Sequence, residues 1–286
     1  MGKISDILRL TRIEHSIMLV IAVVAAELLA KGLPQLNVFV LSLIAPIFIS
    51  AGAFAINDYF DVEVDRANRK NRPLVTGNMS LSGALAITAL CMVIGVGASA
   101  FLGWYEFAIA LAFAILSLLY SYRLKDVLLV GNMYIALSMA IPFIFGDYAV
   151  SRSLAGNVVL ISIMIFLSGV AREIHGSVRD YQGDRLRNAN TFPNVIGVKS
   201  SAVTAAVVYL FAILLSLYLF LQTAPFRYNL YFGIPIAVSD IMLIYSALVF
   251  LYASKGKYQL ARNASLAAMA LALVAIFLSA MLTLHI

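Results

Sequence analysis

Asn57-Asp58-Tyr59-Phe60-Asp61-Val62-Glu63-Val64-Asp65 closes an apolar run that occupies 36–56. On a helix continued through it at about 100° per residue, Asn57, Asp61, Asp65 and Asp58 fall at about 0°, 40°, 80° and 100°, and Glu63 falls at about 240°. Four oxygen-bearing side chains therefore share one face, with Glu63 turned away. Asp180 and Asp184 form a second pair, one helical turn apart, after another apolar run. Two acid clusters, each ending a long apolar segment, decide the reading of the chain.

Working outward, apolar runs long enough to cross a bilayer, about 17–25 residues each, can be drawn near 13–30, 36–56, 81–102, 104–122, 131–150, 157–175, 201–222, 228–252 and 263–284. With 63% hydrophobic and only 12% charged residues over 286 positions, the chain is too apolar for a water-soluble globule. An all-α, polytopic membrane protein of nine transmembrane helices is expected. All of the 20 Lys and Arg except Lys31, Arg152 and Arg227 fall in alternate inter-span segments, so that side is cytoplasmic. Both acid clusters lie on it, as does the N-terminus, and the C-terminus lies outside. The net charge of +6 is chiefly this topology signal. The cations punctuate spans and form no separate basic domain, which speaks against nucleic-acid binding, and no protein partner is implied. Cys91 is the single cysteine, so disulfides within the chain and thiolate metal sites are excluded. The first span is too long for a signal-peptide core and reads as a retained helix. The preceding Ile4–Glu14 segment reads as an interfacial helix from which Arg12 could turn inward.

A repeat runs through the chain. Asp61-x-x-x-Asp65-Arg66 and Asp180-x-x-x-Asp184-Arg185 are followed by Pro73 and Pro193, by Gly77 and Gly197 four residues later, and by Ser80 and Ser200 three beyond. The period is about 120 residues, or four spans. One domain, 1–286, is expected, built of pseudo-repeats at about 13–122 and 131–252 with an extra helix at 263–284. A pseudo-twofold axis along the membrane normal would bring the two acid loops face to face.

Carboxylates at a helix C-terminus oppose the macrodipole, and near lipid depth they are costlier still. A positive partner is needed. An all-oxygen set of Asn57, Asp58, Asp61, Asp65, Asp180 and Asp184 suits Mg²⁺, which shares itself between a few carboxylates and phosphate oxygens. Arg66, Arg69, Lys70, Arg72, Lys125, Arg185 and Arg187 lie on the same loops and can hold phosphate. Acids, basic groups and a hard metal make a diphosphate site, and its position at a membrane interface gives the ligand a lipid tail. Tyr120 and Tyr122 read first as interfacial belt residues. His175 reads as a structural hydrogen-bonding residue, and Glu27 and Asp240 read equally as buried functional groups or helix-end residues.

Asn57-Asp-x-x-Asp61-x-x-x-Asp65 with Arg72-Pro73-Leu74-x-x-Gly77, and Asp180-x-x-x-Asp184 with Pro193 and Gly197, resemble the UbiA superfamily of intramembrane prenyltransferases over nearly the whole chain. The resemblance implies a nine-helix bundle around a central cavity, with two Mg²⁺ ions bridging the Asp motifs to an isoprenyl diphosphate. Carried over onto this sequence, it gives Asp61, Asp65, Asp180, Asp184 and Tyr120 to the chemistry. Arg72, Lys125, Tyr122 and Asn132 go to the diphosphate. The stretches Tyr120–Lys125, Gly131-Asn132 and Pro142–Gly146 look most like archaeal geranylgeranylglyceryl-phosphate geranylgeranyltransferases and chlorophyll synthases, and the former branch implies a lipophilic glyceryl-phosphate acceptor. Gly176 and Ser177 depart from the Lys and Asp that similar proteins carry before the second motif. The rival readings are an aromatic prenyltransferase of the quinone pathways and a secondary transporter.

Overall fold

The computed structural model describes residues 3–30, 34–127, 129–186, 190–253 and 255–282, with the side chains of Lys3, Asp184, Leu186 and Lys255 outside that description. In chain order the helices are α1 (Lys3–Thr11), α2 (Ile13–Ala30), α3 (Leu36–Phe60), α4 (Val62–Ala67), α5 (Leu81–Ala100), α6 (Trp104–Tyr122), α7 (Val130–Ser151), α8 (Gly156–Leu186), α9 (Phe192–Ile196), α10 (Val198–Gln222), α11 (Leu230–Tyr252) and α12 (Tyr258–Leu282). Nine of these, all except α1, α4 and α9, are long and apolar enough to cross a membrane. They coincide with the nine runs drawn from the sequence except at polar ends. α8 continues to Leu186, eleven residues past the expected 175, because no proline interrupts it before Pro193 and helical hydrogen bonding does not need lipid around it.

Packing inverts the pattern of a soluble helix. On α10, Val203, Leu210, Phe211, Leu214 and Leu217 face outward and exposed, while Ala202, Ala205, Ala212 and Ser216 are buried against neighbouring helices. With lipid as the solvent, large apolar side chains gain nothing by turning inward, and small residues let helices approach. Gly146 shows how closely: a Cβ there would lie 2.5 Å from the Val23 carbonyl oxygen, so α7 meets α2 backbone to backbone. Successive helices pack side by side, and α2 closes the bundle by packing on both α7 and α12.

On the acid-bearing side, α1 lies over the bundle rather than free on the membrane surface. Leu10 is buried with Ala55, Leu74 and Ala84, Arg9 Nη2 donates to the Asn71 carbonyl at 2.6 Å, and Asn78 Nδ2 donates to Asp6 Oδ1 at 3.3 Å. Ile4 and Leu8 remain exposed on the other face. The 68–80 connection is thus clamped between α1 and α3. It ends where Ser80 Oγ caps α5 by accepting the Gly83 N–H at 3.1 Å. Ser200, its counterpart by spacing, instead sits inside the first turn of α10, which Gly197 precedes at φ 87°.

Candidate active site

The acid cluster begins where α3 bends. Asp61 leaves helical geometry (φ −91°, ψ 1°), yet its N–H still reaches the Asn57 carbonyl at 2.9 Å and the Asp65 N–H reaches Asp61 at 2.8 Å. The hydrogen-bond ladder therefore carries across the break into α4. Asp58 and Asp65 are buried and Asp61 half-buried. Glu63 lies on the opposite, exposed face and pairs with Arg66 at 2.8 Å.

Each carboxylate has a basic partner. Asp58 Oδ1 takes the guanidinium of both Arg12 and Arg72. Asp65 is held by Lys70 Nζ at 2.6 Å and by Arg72 Nε at 3.0 Å, so Arg72 joins the two buried acids. Asp61 takes Lys125, and Asn57 Nδ2 donates to it at 3.0 Å. Arg12 comes from the joint between α1 and α2, where its backbone has φ 46°, and its guanidinium covers the Phe54 ring at 4.7 Å. Arg72 is set by the 68–80 connection, whose Thr76 N–H closes on the Arg72 carbonyl at 2.9 Å. Lys125 rides a short 3₁₀ turn at Leu124–Asp126. Gly131 packs directly on that turn: a Cβ would meet Leu124 O and Lys125 Cα at 3.1 Å. Four cations thus face three carboxylates, and one acceptor stays open, since Asp58 Oδ2 is buried and accepts no hydrogen bond from the described residues.

Behind this cluster lies a cavity of about 920 Å³ that Asn57 and Arg12 line at its acid-bearing end. Tyr120 and Tyr134 form part of its wall, stacked at 4.7 Å between centroids. Phe54, Phe113, Phe143, Ile165 and Leu273 make most of the rest apolar. Arg172, Ser168 and Asn263 form a second polar patch in the same wall. Asp240 lines the cavity too, accepting from Ser216 Oγ at 2.6 Å. Glu27 does not line it: it is buried and accepts from Ser42 Oγ at 2.5 Å.

The UbiA prenyltransferase family model matches residues 18–266 of this chain. A digeranylgeranylglyceryl phosphate synthase of Archaeoglobus fulgidus is 35% identical over 280 residues, covering 95% of this chain and 94% of that one. This chain belongs to the UbiA prenyltransferase family. Another such synthase, of Pyrococcus horikoshii, is 32% identical over 78% of each chain. Among solved structures, one of a digeranylgeranylglyceryl phosphate synthase matches with a TM-score of 0.81 at 27% identity, covering 98% of this chain and 99% of that chain. A UbiA homolog from Archaeoglobus fulgidus bound to GPP and Mg²⁺ shares the fold with a TM-score of 0.69 at 20% identity, covering 98% and 100%.

In this UbiA family member the expected residues divide. Asn57, Asp58, Asp61, Asp65, Arg72 and Lys125 are brought together, and Tyr120 lines the cavity. Tyr122 is not brought there: it is 66% exposed, with its ring edge against Phe60 at 5.7 Å, because it lies two residues on from Tyr120, about 200° around the same helix. Asn132, at the start of α7, is half-buried and is not among the cavity-lining residues. Asp180 is half-exposed and engaged by Arg179, Nε to Oδ1 at 2.7 Å and Nη2 to Oδ2 at 2.5 Å. Arg179 also donates to Gln259 Oε1 on α12 at 3.0 Å. The Asp184 side chain and Arg187 lie outside the described residues. Among the described residues no three acidic, histidine or cysteine side chains converge on a single metal position. The sequence assigns no role to Arg172 and Glu173, which fall inside the run drawn at 157–175. They sit in α8, paired at 2.5 Å, and a charge inside an apolar helix is the signal that would have found them. His175 is buried against Phe250 with ring centroids 4.0 Å apart, and neither ring nitrogen has a hydrogen-bond partner among the described residues.

Proposed function

We propose that this prenyltransferase moves a geranylgeranyl group from its diphosphate to geranylgeranylglyceryl phosphate, forming the second ether of an archaeal-type lipid. The observation that carries this is the ion-paired acid cluster at the mouth of a lipid-sized apolar cavity, in a chain whose full-length relatives are named for that synthesis.

The residues fit Mg²⁺. The donor set is all oxygen, and Asp58 Oδ2 is a buried acceptor still open. Asn57, Asp58, Asp61 and Asp65, with Asp180 and Asp184 from α8, would hold two ions. Bound there, Mg²⁺ supplies positive charge to the departing diphosphate oxygens. Arg72 and Lys125 donate N–H to those oxygens, exchanging a carboxylate partner for a phosphate one. As the allylic C–O bond breaks, its electron pair leaves on pyrophosphate. The stacked faces of Tyr120 and Tyr134 favour the developing carbocation by about 0.5–2 kcal/mol per contact, and the apolar walls exclude water that would quench it. The acceptor hydroxyl then forms the ether bond. Asp65 is ion-paired with Lys70 and Arg72, which favours released pyrophosphate over Asp65 as the group that takes the hydroxyl proton.

The same reading places the acid cluster and the N-terminus in the cytoplasm and the C-terminus outside, by the distribution of Lys and Arg. It treats the chain as one unit of two four-helix repeats plus α12; positive φ at both Gly77 and Gly197 supports that relation. The test is product analysis by mass spectrometry after incubating purified protein, Mg²⁺ and geranylgeranyl diphosphate with geranylgeranylglyceryl phosphate or 4-hydroxybenzoate. A diether phosphate with pyrophosphate release is expected. Prenylation of the aromatic acceptor alone would replace this assignment with the quinone-pathway one, and return of both substrates unchanged would remove it.

A further inference from the structure

The second polar patch in the cavity wall is not used by the steps above. Arg172 is 7% exposed, lines the cavity, and lies about 12 Å further into α8 than Asp180, at 1.5 Å per residue. Its Nη1 donates to Glu173 at 2.5 Å, while its Nε is buried without a hydrogen-bond partner among the described residues. Ser168 precedes it by one turn on the same helix face and lines the cavity beside it. Asn263, across from them on α12, has its carbonyl oxygen occupied by Gln259 Nε2 at 2.9 Å, which leaves its amide hydrogens as the other polar group.

The charge count around this patch does not close. Glu173 lies in the fields of Arg172, Arg262, Arg179 and Asp180, so three guanidiniums meet two carboxylates. Asp180 is already engaged twice by Arg179. A guanidinium donor facing an apolar cavity without an acceptor is costly unless an anion arrives with the ligand.

We propose that Arg172, with Ser168 and Asn263, is the subsite for the phosphate of the acceptor lipid, separate from the cluster of Arg72 and Lys125 that holds the prenyl diphosphate. The inference rests on the reading of the acceptor given above. Arg72 and Lys125 stand on the α3 and α6–α7 side, whereas Arg172 and Asn263 stand on α8 and α12. Ile165 and Leu273 line the cavity with Arg172 and Asn263, and Arg12 and Asn57 of the first cluster line the same cavity. Two anionic heads, each with its own chain, then enter one cavity, and the acceptor hydroxyl is oriented by its neighbouring phosphate.

The experiment is equilibrium binding of geranylgeranylglyceryl phosphate and of its phosphate-free alcohol to the full chain in lipid nanodiscs, for wild type, Arg172→Gln, Arg172→Lys and Asn263→Leu. Binding of geranylgeranyl diphosphate with Mg²⁺ is measured alongside. Wild type should prefer the phosphate-bearing lipid by about tenfold or more, the worth of charged hydrogen bonds. Arg172→Gln should lose that preference while keeping alcohol and diphosphate binding. Arg172→Lys should restore part of it, and Asn263→Leu should lower it by about threefold. Unchanged preference in Arg172→Gln, or loss of diphosphate binding in its place, would overturn the subsite. A wild type that shows the preference but forms no diether would contradict the acceptor assignment and uphold the subsite, whereas one with no preference would overturn the subsite.

Discussion

The two aspartate regions of this molecule share the Asp-x-x-x-Asp-Arg spacing but are held in different ways. At the end of α3, the Asp58 side chain is 1% exposed and shared by Arg12 and Arg72, which arrive from the N-terminal joint and from the 68–80 connection. On α8, the Asp180 side chain is 51% exposed and bound to Arg179, its neighbour in sequence. The first region is built from four segments of the chain and depends on tertiary structure. The second is presented on one helix, with Gln259 of α12 steadying the arginine. The difference teaches that the acids of the first motif have a structural part beside the one proposed for them in binding, since removing one strands the cations paired with it. Asp180, exposed and paired only with its sequence neighbour among the described residues, does not hold the fold in that way.

The largest effect that could break this contrast comes from Asp58→Ala. Two guanidiniums would lose their shared carboxylate, and the protein should lose about 3–5 kcal/mol of stability, read as a lowered thermal midpoint in detergent, together with all prenyl transfer. Asp180→Ala should separate the two quantities: transfer falls by about a hundredfold or more, while stability moves by no more than about 0.5 kcal/mol. Equal stability losses in both variants would erase the distinction. Gly131→Ala sharpens it on the basic side. The added Cβ presses on Leu124 O and Lys125 Cα, each 3.1 Å away, so the turn carrying Lys125 must shift, and the KM for the prenyl diphosphate should rise about tenfold. Tyr122→Phe, on an exposed ring outside the cavity, should leave transfer within about twofold of wild type.

The sequence made the spans legible because an apolar run of membrane length has few alternatives, and α2 and α6 match their sequence boundaries at 13–30 and 104–122. Helical spacing also sorted Asp58, Asp61 and Asp65 from Glu63. What it did not show was who pairs with whom. Arg12 stands 46 residues from Asp58 and Lys125 stands 64 from Asp61, and no local pattern encodes contacts at that separation. The last turns of α8, at 176–186, fell outside the run drawn to 175 for a different reason: Arg179, Asp180, Asp184 and Arg185 interrupt hydropathy there, although the helix carries on to Leu186. Tyr122 went to the diphosphate by resemblance alone, whereas helix geometry sends the Tyr120 and Tyr122 rings to different faces, and only Tyr120 of the two lines the cavity.

The most direct measurement is equilibrium binding of geranylgeranyl diphosphate to the purified protein, with Mg²⁺ and with EDTA, for wild type, Asp61→Asn and Asp180→Asn. Tight binding is expected only for wild type with Mg²⁺. EDTA should leave the thermal midpoint of the ligand-free protein unchanged, because Arg12, Lys70, Arg72 and Lys125 already pair the acids of the first motif. Equal affinity in EDTA, or undiminished affinity in both variants, would contradict a diphosphate gripped between the two aspartate motifs.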